Sequence, residues 1–283
     1  LSFRKHSLLS LGPHGFHRLV YYEWGDPDNA RVLFCVHGMT RNGRDFDYLA
    51  EALSADYRVV CPDLPGRGES EWLEHSEDYD YPLYCADLAA LLARLRVERV
   101  DWLGTSMGGI IGMFLAAAPH TPISKLVLND VGPYISKEAL TRIATYVGAD
   151  PRFTDLEQAE SYIRELNAEF GPLTDTQWAH YTRHYTRQTQ GGELRLNYDP
   201  EIALPLRRKL EPVDFFPVWQ GIRLPTLIVR GMLSDVLLPE TAERMRILNP
   251  LAQLVELPGI GHAPALANGD QIAMIRDWLL TEP

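Results

Sequence analysis

Apolar residues along this chain fall into two rhythms. Short contiguous or alternating runs, Phe16 to Trp24, Val32 to Val36, Arg58 to Cys61, Val100 to Leu103, Lys125 to Leu128, Thr226 to Val229 and Gln253 to Leu257, read as sheet strands. Between them, helical spacing runs through Phe46 to Leu53, Tyr84 to Leu95, Met107 to Ala118, Glu240 to Leu248 and Asp270 to Leu280. Strands that are apolar on both sides and alternate with helices predict an α/β protein, with a mostly parallel sheet covered by helices on both faces. In such a sheet, ligands collect at the carboxyl ends of the strands.

After Asp130 the strand rhythm stops. Ser136 to Val147, Leu156 to Phe170, Asp175 to Gln188 and Glu201 to Leu210 have amphipathic helical spacing with no strand between them. They are bounded by Gly132-Pro133, Gly171-Pro172, Gly191-Gly192 and Pro212. The expected organisation is therefore a core of residues 1–130 and 223–283, interrupted by a helical insertion at 131–222 that covers the core as a cap. We find no internal repeat and no low-complexity segment.

Composition narrows the class. The 283 residues are 46% hydrophobic, enough for a substantial core, and the formal net charge of −11 is spread along the chain. That balance argues against nucleic acid or an anionic membrane surface as partner. The longest apolar stretch, Met107 to Ala118, has 12 residues and three glycines, well short of the roughly 20 that cross a bilayer. Leu1 to Leu11 lacks the pattern of a secretory signal, although a chain that starts on leucine leaves room for a removed leader. Cys35, Cys61 and Cys85 form no Cys-x-x-Cys pair and read as reduced core residues of a cytoplasmic protein. His180 and His184 are one helical turn apart but have no third ligand in sequence, so no metal is assigned.

The chemistry centres on Ser106, in Gly104-Thr105-Ser106-Met107-Gly108-Gly109 at a strand-to-helix junction. Glycines two residues either side of a serine suit a tight, strained turn that exposes its hydroxyl. A serine hydroxyl needs a base, and His262, in the glycine-rich loop after the last predicted strand, is the candidate. A carboxylate must then orient the imidazole, and two aspartates follow strands: Asp235 and its rival Asp130. Loop position together with the order serine, acid, histidine, as in elbow-type hydrolases, favours Asp235. An oxyanion formed on attack needs fixed donors, for which the Met107 amide and the Met39 amide in His37-Gly38-Met39-Thr40 are placed. His37 itself reads as structural.

Taken together, His37-Gly38, Asp63-Leu64-Pro65-Gly66-Arg67-Gly68-Glu69-Ser70, Gly104 to Gly109, Asp235 and Gly261-His262 resemble the alpha/beta-hydrolase superfamily with a helical cap, over nearly the whole chain. The resemblance implies a positioning role for Asp63 and Arg67 in a turn after a strand. Haloalkane dehalogenases and epoxide hydrolases of that superfamily carry aspartate where Ser106 stands. Meta-cleavage-product hydrolases usually carry asparagine and tryptophan where this chain has Thr105 and Ala263. The single Gly38 before Met39 resembles esterases of shorter or medium substrates.

The expectation is thus a serine carboxylic-ester hydrolase working through an acyl-enzyme on small to medium, mostly apolar esters, with no cofactor. The alternatives are a carbon–carbon hydrolase sharing the same triad, and a ligand-sensing protein on a hydrolase scaffold. The insertion offers Tyr134, Tyr146, Tyr162, Trp178, Tyr181, Tyr185 and Trp219. From these, Tyr134, Trp178, Tyr181, Tyr185 and Trp219 are the expected wall of an apolar pocket.

Overall fold

A computed structural model describes residues 2–208 and 210–281. The first strands are β1 (Arg4–Gly12), β2 (Gly15–Trp24) and β3 (Val32–Val36), followed by helix α1 (Asp47–Leu53), β4 (Arg58–Asp63), α2 (Tyr81–Leu95), β5 (Val100–Thr105), α3 (Met107–Ala117) and β6 (Ile123–Asn129). The segment that follows forms β7 (Tyr134–Ile135), α4 (Lys137–Tyr146), β8 (Arg152–Phe153), α5 (Leu156–Leu166), α6 (Asp175–Tyr185), β9 (Thr186–Gln188), β10 (Leu194–Leu196), α7 (Leu204–Arg208), β11 (Val213–Asp214) and α8 (Phe216–Trp219). The chain closes with β12 (Thr226–Gly231), α9 (Pro239–Leu248), β13 (Ala252–Leu257) and α10 (Gly269–Leu280).

Eight strands form one sheet in the order β1-β2-β4-β3-β5-β6-β12-β13. From β4 to β13 every neighbouring pair is parallel, while β1, β2 and β4 pair antiparallel. Pleating sends successive side chains to opposite faces. Phe34, Trp102, Leu126, Leu128 and Ile228 face one core with α2, α3 and α9, whereas Leu33, Leu103, Val127, Leu227 and Val229 face another with α1 and α10. Both faces are therefore dry, which is why these strands read as continuous apolar runs rather than as alternation. Burying one such aliphatic or aromatic side chain contributes about 1.5–3 kcal/mol.

Trp102 links this core to the elbow. Its indole stacks 5.5 Å from the Phe34 ring and donates Nε1–H to the Gly108 carbonyl at 3.1 Å. Because the chain turns from β3 to β4 on one side and resumes at β5 on the other, the switch point opens between β3 and β5. The loop after β3 and the turn carrying Ser106 meet there.

Two features depart from the sequence reading. The strand β1 was not expected; its outer face is exposed at Leu9 and Leu11, so it shows no clean apolar period. The stretch expected to hold only helices contains five two- or three-residue strands, which form a three-stranded β8-β10-β9 sheet and a β7-β11 pair. These are too short to carry a period-two signal. Helix α6 ends at Tyr185 rather than Gln188 because the chain goes directly into β9. The expected helix Glu201 to Leu210 is a 3-10 turn, Pro200–Ala203, followed by α7; Lys209 lies outside the described residues. Among the described residues, no helix is long and apolar enough to cross a membrane.

Candidate active site

Ser106 occupies the turn between β5 and α3 with φ 52° and ψ −117°. A left-handed φ is uncommon for a residue with a side chain and persists only where its surroundings enforce it. They do so here by close packing. A Cβ on Gly108 would lie 2.1 Å from the Val36 carbonyl oxygen, and one on Gly104 would lie 2.3 Å from the Gly108 backbone. Gly108→Ala should therefore unfold at a lower temperature: overpacking of about 2–3 kcal/mol corresponds to a fall of roughly 3–5 °C in a chain of this length, readable by calorimetry. Although Ser106 is the N-cap of α3, its side chain makes no capping bond, so the hydroxyl is available to another partner.

That partner is His262. Its Nε2 lies 2.9 Å from Ser106 Oγ, and its Nδ1 lies 2.8 Å from Oδ2 of an aspartate. The aspartate is Asp130, not Asp235. Asp130 directly follows β6, has φ 56° and is fully buried. Its other oxygen accepts the Gly231 amide at 2.8 Å, and Ser234 Oγ donates to Oδ2 at 2.5 Å. Asp235 follows the neighbouring strand β12, but its carboxylate turns outward into a bidentate pair with Arg142 of α4, at 2.5 and 2.6 Å. Both partners of that pair are 45% exposed, whereas the carboxylate facing His262 is sealed from water. Within the β12 loop, Ser234 holds the inward position.

The His262 loop is tied down on two sides. Asn129 donates its side-chain amide to the Pro264 carbonyl at 2.9 Å and to Thr105 Oγ1 at 3.0 Å. From the insertion, the Glu169 carbonyl accepts the Gly261 amide at 2.8 Å. These contacts join the ends of β5 and β6 and the insertion to one loop. Neither was legible beforehand, because each joins residues more than twenty positions apart.

The loop after β3 is fixed by buried polar contacts. His37 is wholly buried; its Nδ1 faces the Gly38 carbonyl at 2.7 Å and its Nε2 accepts the Leu64 amide at 3.0 Å. Burial pushes this imidazole down to about 3, in keeping with a neutral ring that both donates and accepts. Arg67 is 1% exposed and donates to the carbonyls of Met39 (2.8 Å) and Pro65 (2.7 Å) and to the Tyr84 hydroxyl (2.8 Å). Asp63 accepts the Gly43 and Glu69 amides at 2.7 and 2.8 Å, and burial pushes its carboxyl up to about 7. Gly38 packs against Ser106, where an added Cβ would stand 3.6 Å from the serine Cβ. Among the described residues, neither the Met39 nor the Met107 amide donates to another group.

Ser106 and His262 open on a cavity of about 420 Å³. The expected wall of Tyr134, Trp178, Tyr181, Tyr185 and Trp219 does not line it. Trp178, Tyr181 and Tyr185 share one face of α6 and pack with Ile163, Phe170 and Ala267, while Trp219 is 1% exposed and donates its indole N–H to the Met245 carbonyl. Tyr134 lies in the β7-β11 pair, packed against the core. Of the aromatics considered in the insertion, Tyr146 reaches the cavity, beside Leu140 and Ile143 of α4 and Leu206 of α7. Arg41, Arg67 and Arg142 also line it, which the apolar expectation missed.

One further cluster forms away from this cavity. Asp47 comes to His180 and His184 and supplies the third ligand-type side chain that the sequence lacked, with ligand atoms within 4.8 Å of one another. Arg44 Nε, however, already lies 2.8 and 3.0 Å from the two Asp47 oxygens, and we assign no ion there.

A strained serine after a parallel strand, bonded through a histidine to a buried carboxylate at the edge of an eight-stranded sheet, defines a hydrolase of the alpha/beta class. The sequence profile of the alpha/beta hydrolase family matches residues 32–275, and the chain belongs to that family. It is 45% identical over 273 residues to a 3-hydroxybutyrate-oligomer hydrolase of Cupriavidus necator, covering 93% of each chain. Two solved structures are similar throughout. A putative hydrolase from Rickettsia typhi matches with a TM-score of 0.93 at 33% identity over 100% of both chains. An alpha/beta hydrolase from Novosphingobium aromaticivorans matches with a TM-score of 0.86 at 37% identity over 98% of each.

Proposed function

We propose that this chain is a serine carboxylic-ester hydrolase that works through an acyl-enzyme, with residues 131–222 acting as its cap. The observation that carries the reading is the hydrogen-bonded sequence Ser106 Oγ, His262 and Asp130, at 2.9 and 2.8 Å. His262 takes the serine proton as Ser106 attacks the ester carbonyl, and Asp130 holds the ring in the tautomer that leaves Nε2 free to accept. The Met39 and Met107 amides meet the oxyanion. His262 then returns the proton to the departing alcohol, and water repeats the sequence to release the acid.

The similarity to the Cupriavidus necator enzyme narrows the substrate to short oligoesters of a hydroxy acid, of which 3-hydroxybutyrate is the model compound. A cavity of about 420 Å³ with an apolar wall from α4 and α7 suits a ligand of a few such units. Treatment with a fluorophosphonate, followed by peptide mass spectrometry, should place one adduct on Ser106. Before treatment the same preparation should convert the 3-hydroxybutyrate dimer to monomer, and labelling should abolish that conversion. Labelling at a different residue, or no label with the dimer left intact, overturns the reading.

A further inference from the structure

Three guanidinium groups line the cavity around Ser106; all three have a partner, and Arg41 is the least closely held. Arg67 spends its donors on two carbonyls and a tyrosine hydroxyl, and Arg142 is held bidentately by Asp235. Arg41 is different. Its side chain is 13% exposed and stacks 3.9 Å over the Phe170 ring, and among the described residues its guanidinium donates one long hydrogen bond, 3.4 Å, to Asp45, with which it forms an ion pair. A guanidinium has five N–H donors in a fixed fork, and a single long bond to Asp45 leaves most of the Arg41 fork open to an acceptor in the cavity. The chain places this group two residues beyond Met39, on the loop where Gly38 packs against Ser106, and the Arg41 amide itself bonds to the Gly38 carbonyl at 3.3 Å.

We infer that Arg41 is a specificity-determining residue that holds a free carboxylate on the ester substrate, in the fragment that leaves as the alcohol. The inference rests on the serine-ester reading above. A head-to-tail oligoester of a hydroxy acid has one free hydroxyl end and one free carboxylate end. Whichever ester link is cut, the carboxylate end stays with the alcohol fragment. In each turnover the acyl C–O bond breaks, one hydrogen of water ends on the freed hydroxyl, and the water oxygen enters the new carboxyl group. The terminal carboxylate is unchanged and serves only as a handle. Charge-assisted pairing of a carboxylate with a planar guanidinium fork is the strongest polar contact such a cavity can offer.

The test compares 3-acetoxybutyrate with the neutral 3-acetoxybutanamide, which differ only in the charge of the handle. Wild-type kcat/KM should favour the anion by roughly 10- to 100-fold, as expected for hydrogen bonds to a charged group. In Arg41→Gln that ratio should fall to near one, mainly through a higher KM for the anion, and Arg41→Lys should restore part of it. Arg142→Gln should keep most of the preference. Equal wild-type turnover of the two esters overturns the inference, as does loss of the preference in Arg142→Gln but not in Arg41→Gln. Should Arg41→Gln fail to fold, product inhibition of the wild type decides: 3-hydroxybutyrate inhibiting at least tenfold more strongly than 3-hydroxybutanamide supports a cationic handle site, and equal inhibition removes it. Failure to hydrolyse even neutral p-nitrophenyl acetate overturns the serine-ester reading itself, whereas its hydrolysis without any anion preference overturns only the role of Arg41.

Discussion

Ser106→Ala should lower kcat for p-nitrophenyl butyrate by about 10⁴- to 10⁶-fold while leaving the melting temperature close to that of the wild type. The size follows from the division of labour at the site. On the proposed mechanism, no acyl-enzyme can form without the hydroxyl, and what remains is attack by water assisted by His262 and the amides of Met39 and Met107. Stability should change little because the Ser106 side chain caps nothing in α3; among the described residues its one hydrogen-bond partner is His262. Burst kinetics provide the direct check: the wild type should release a rapid first equivalent of p-nitrophenol where deacylation is slow, and the alanine variant none. Retention of more than about one per cent of wild-type turnover would show that another nucleophile carries the reaction.

The second large effect separates the two aspartates. Asp130→Asn should cost about 10³- to 10⁴-fold in kcat, comparable to loss of the orienting acid in other serine hydrolases. An asparagine can offer only one oxygen where Asp130 uses two, one toward Gly231 and one toward His262 and Ser234. If the amide nitrogen faces His262, the ring must take the tautomer with its proton on Nε2, and it can no longer accept from Ser106. If it faces Gly231, a buried amide loses its acceptor, which costs roughly 1–3 kcal/mol of stability. Asp235→Asn removes a half-exposed ion pair with Arg142, and such pairs contribute about 0–1 kcal/mol, so activity should stay within roughly fivefold. Measuring kcat for both variants beside their melting curves distinguishes the assignments; a larger loss in Asp235→Asn than in Asp130→Asn would reverse them.

The fold class and the elbow were legible in the chain because their signals are local. Strands covered on both faces must be apolar at every position, and Val32 to Val36 shows this without reference to any partner. The Gly-x-Ser-x-Gly turn is likewise contiguous: the Gly108 position is closed to a Cβ by the strand next door, and that constraint leaves its mark in the residue type. His262 could be selected because its glycine-rich loop follows the last strand, where α/β sheets collect their chemistry.

What the chain alone could not decide was direction. Asp130 and Asp235 follow adjacent parallel strands, so order and loop position describe both nearly equally. Only the folded backbone turns one carboxylate inward, at a left-handed φ against Gly231 and Ser234, and the other outward to Arg142. The aromatic residues of α6 pose the same problem. Their spacing shows that Trp178, Tyr181 and Tyr185 share a face, but what that face meets depends on how α6 docks, and it meets α5 and the segment after His262 rather than the cavity. Sequence periodicity therefore determined which residues avoid water, and the glycine-flanked turn determined where Ser106 sits. Tertiary packing decided which buried groups touch one another, because the relative placement of β6, β12 and the insertion is set by contacts between residues remote in the chain, and no local pattern encodes it.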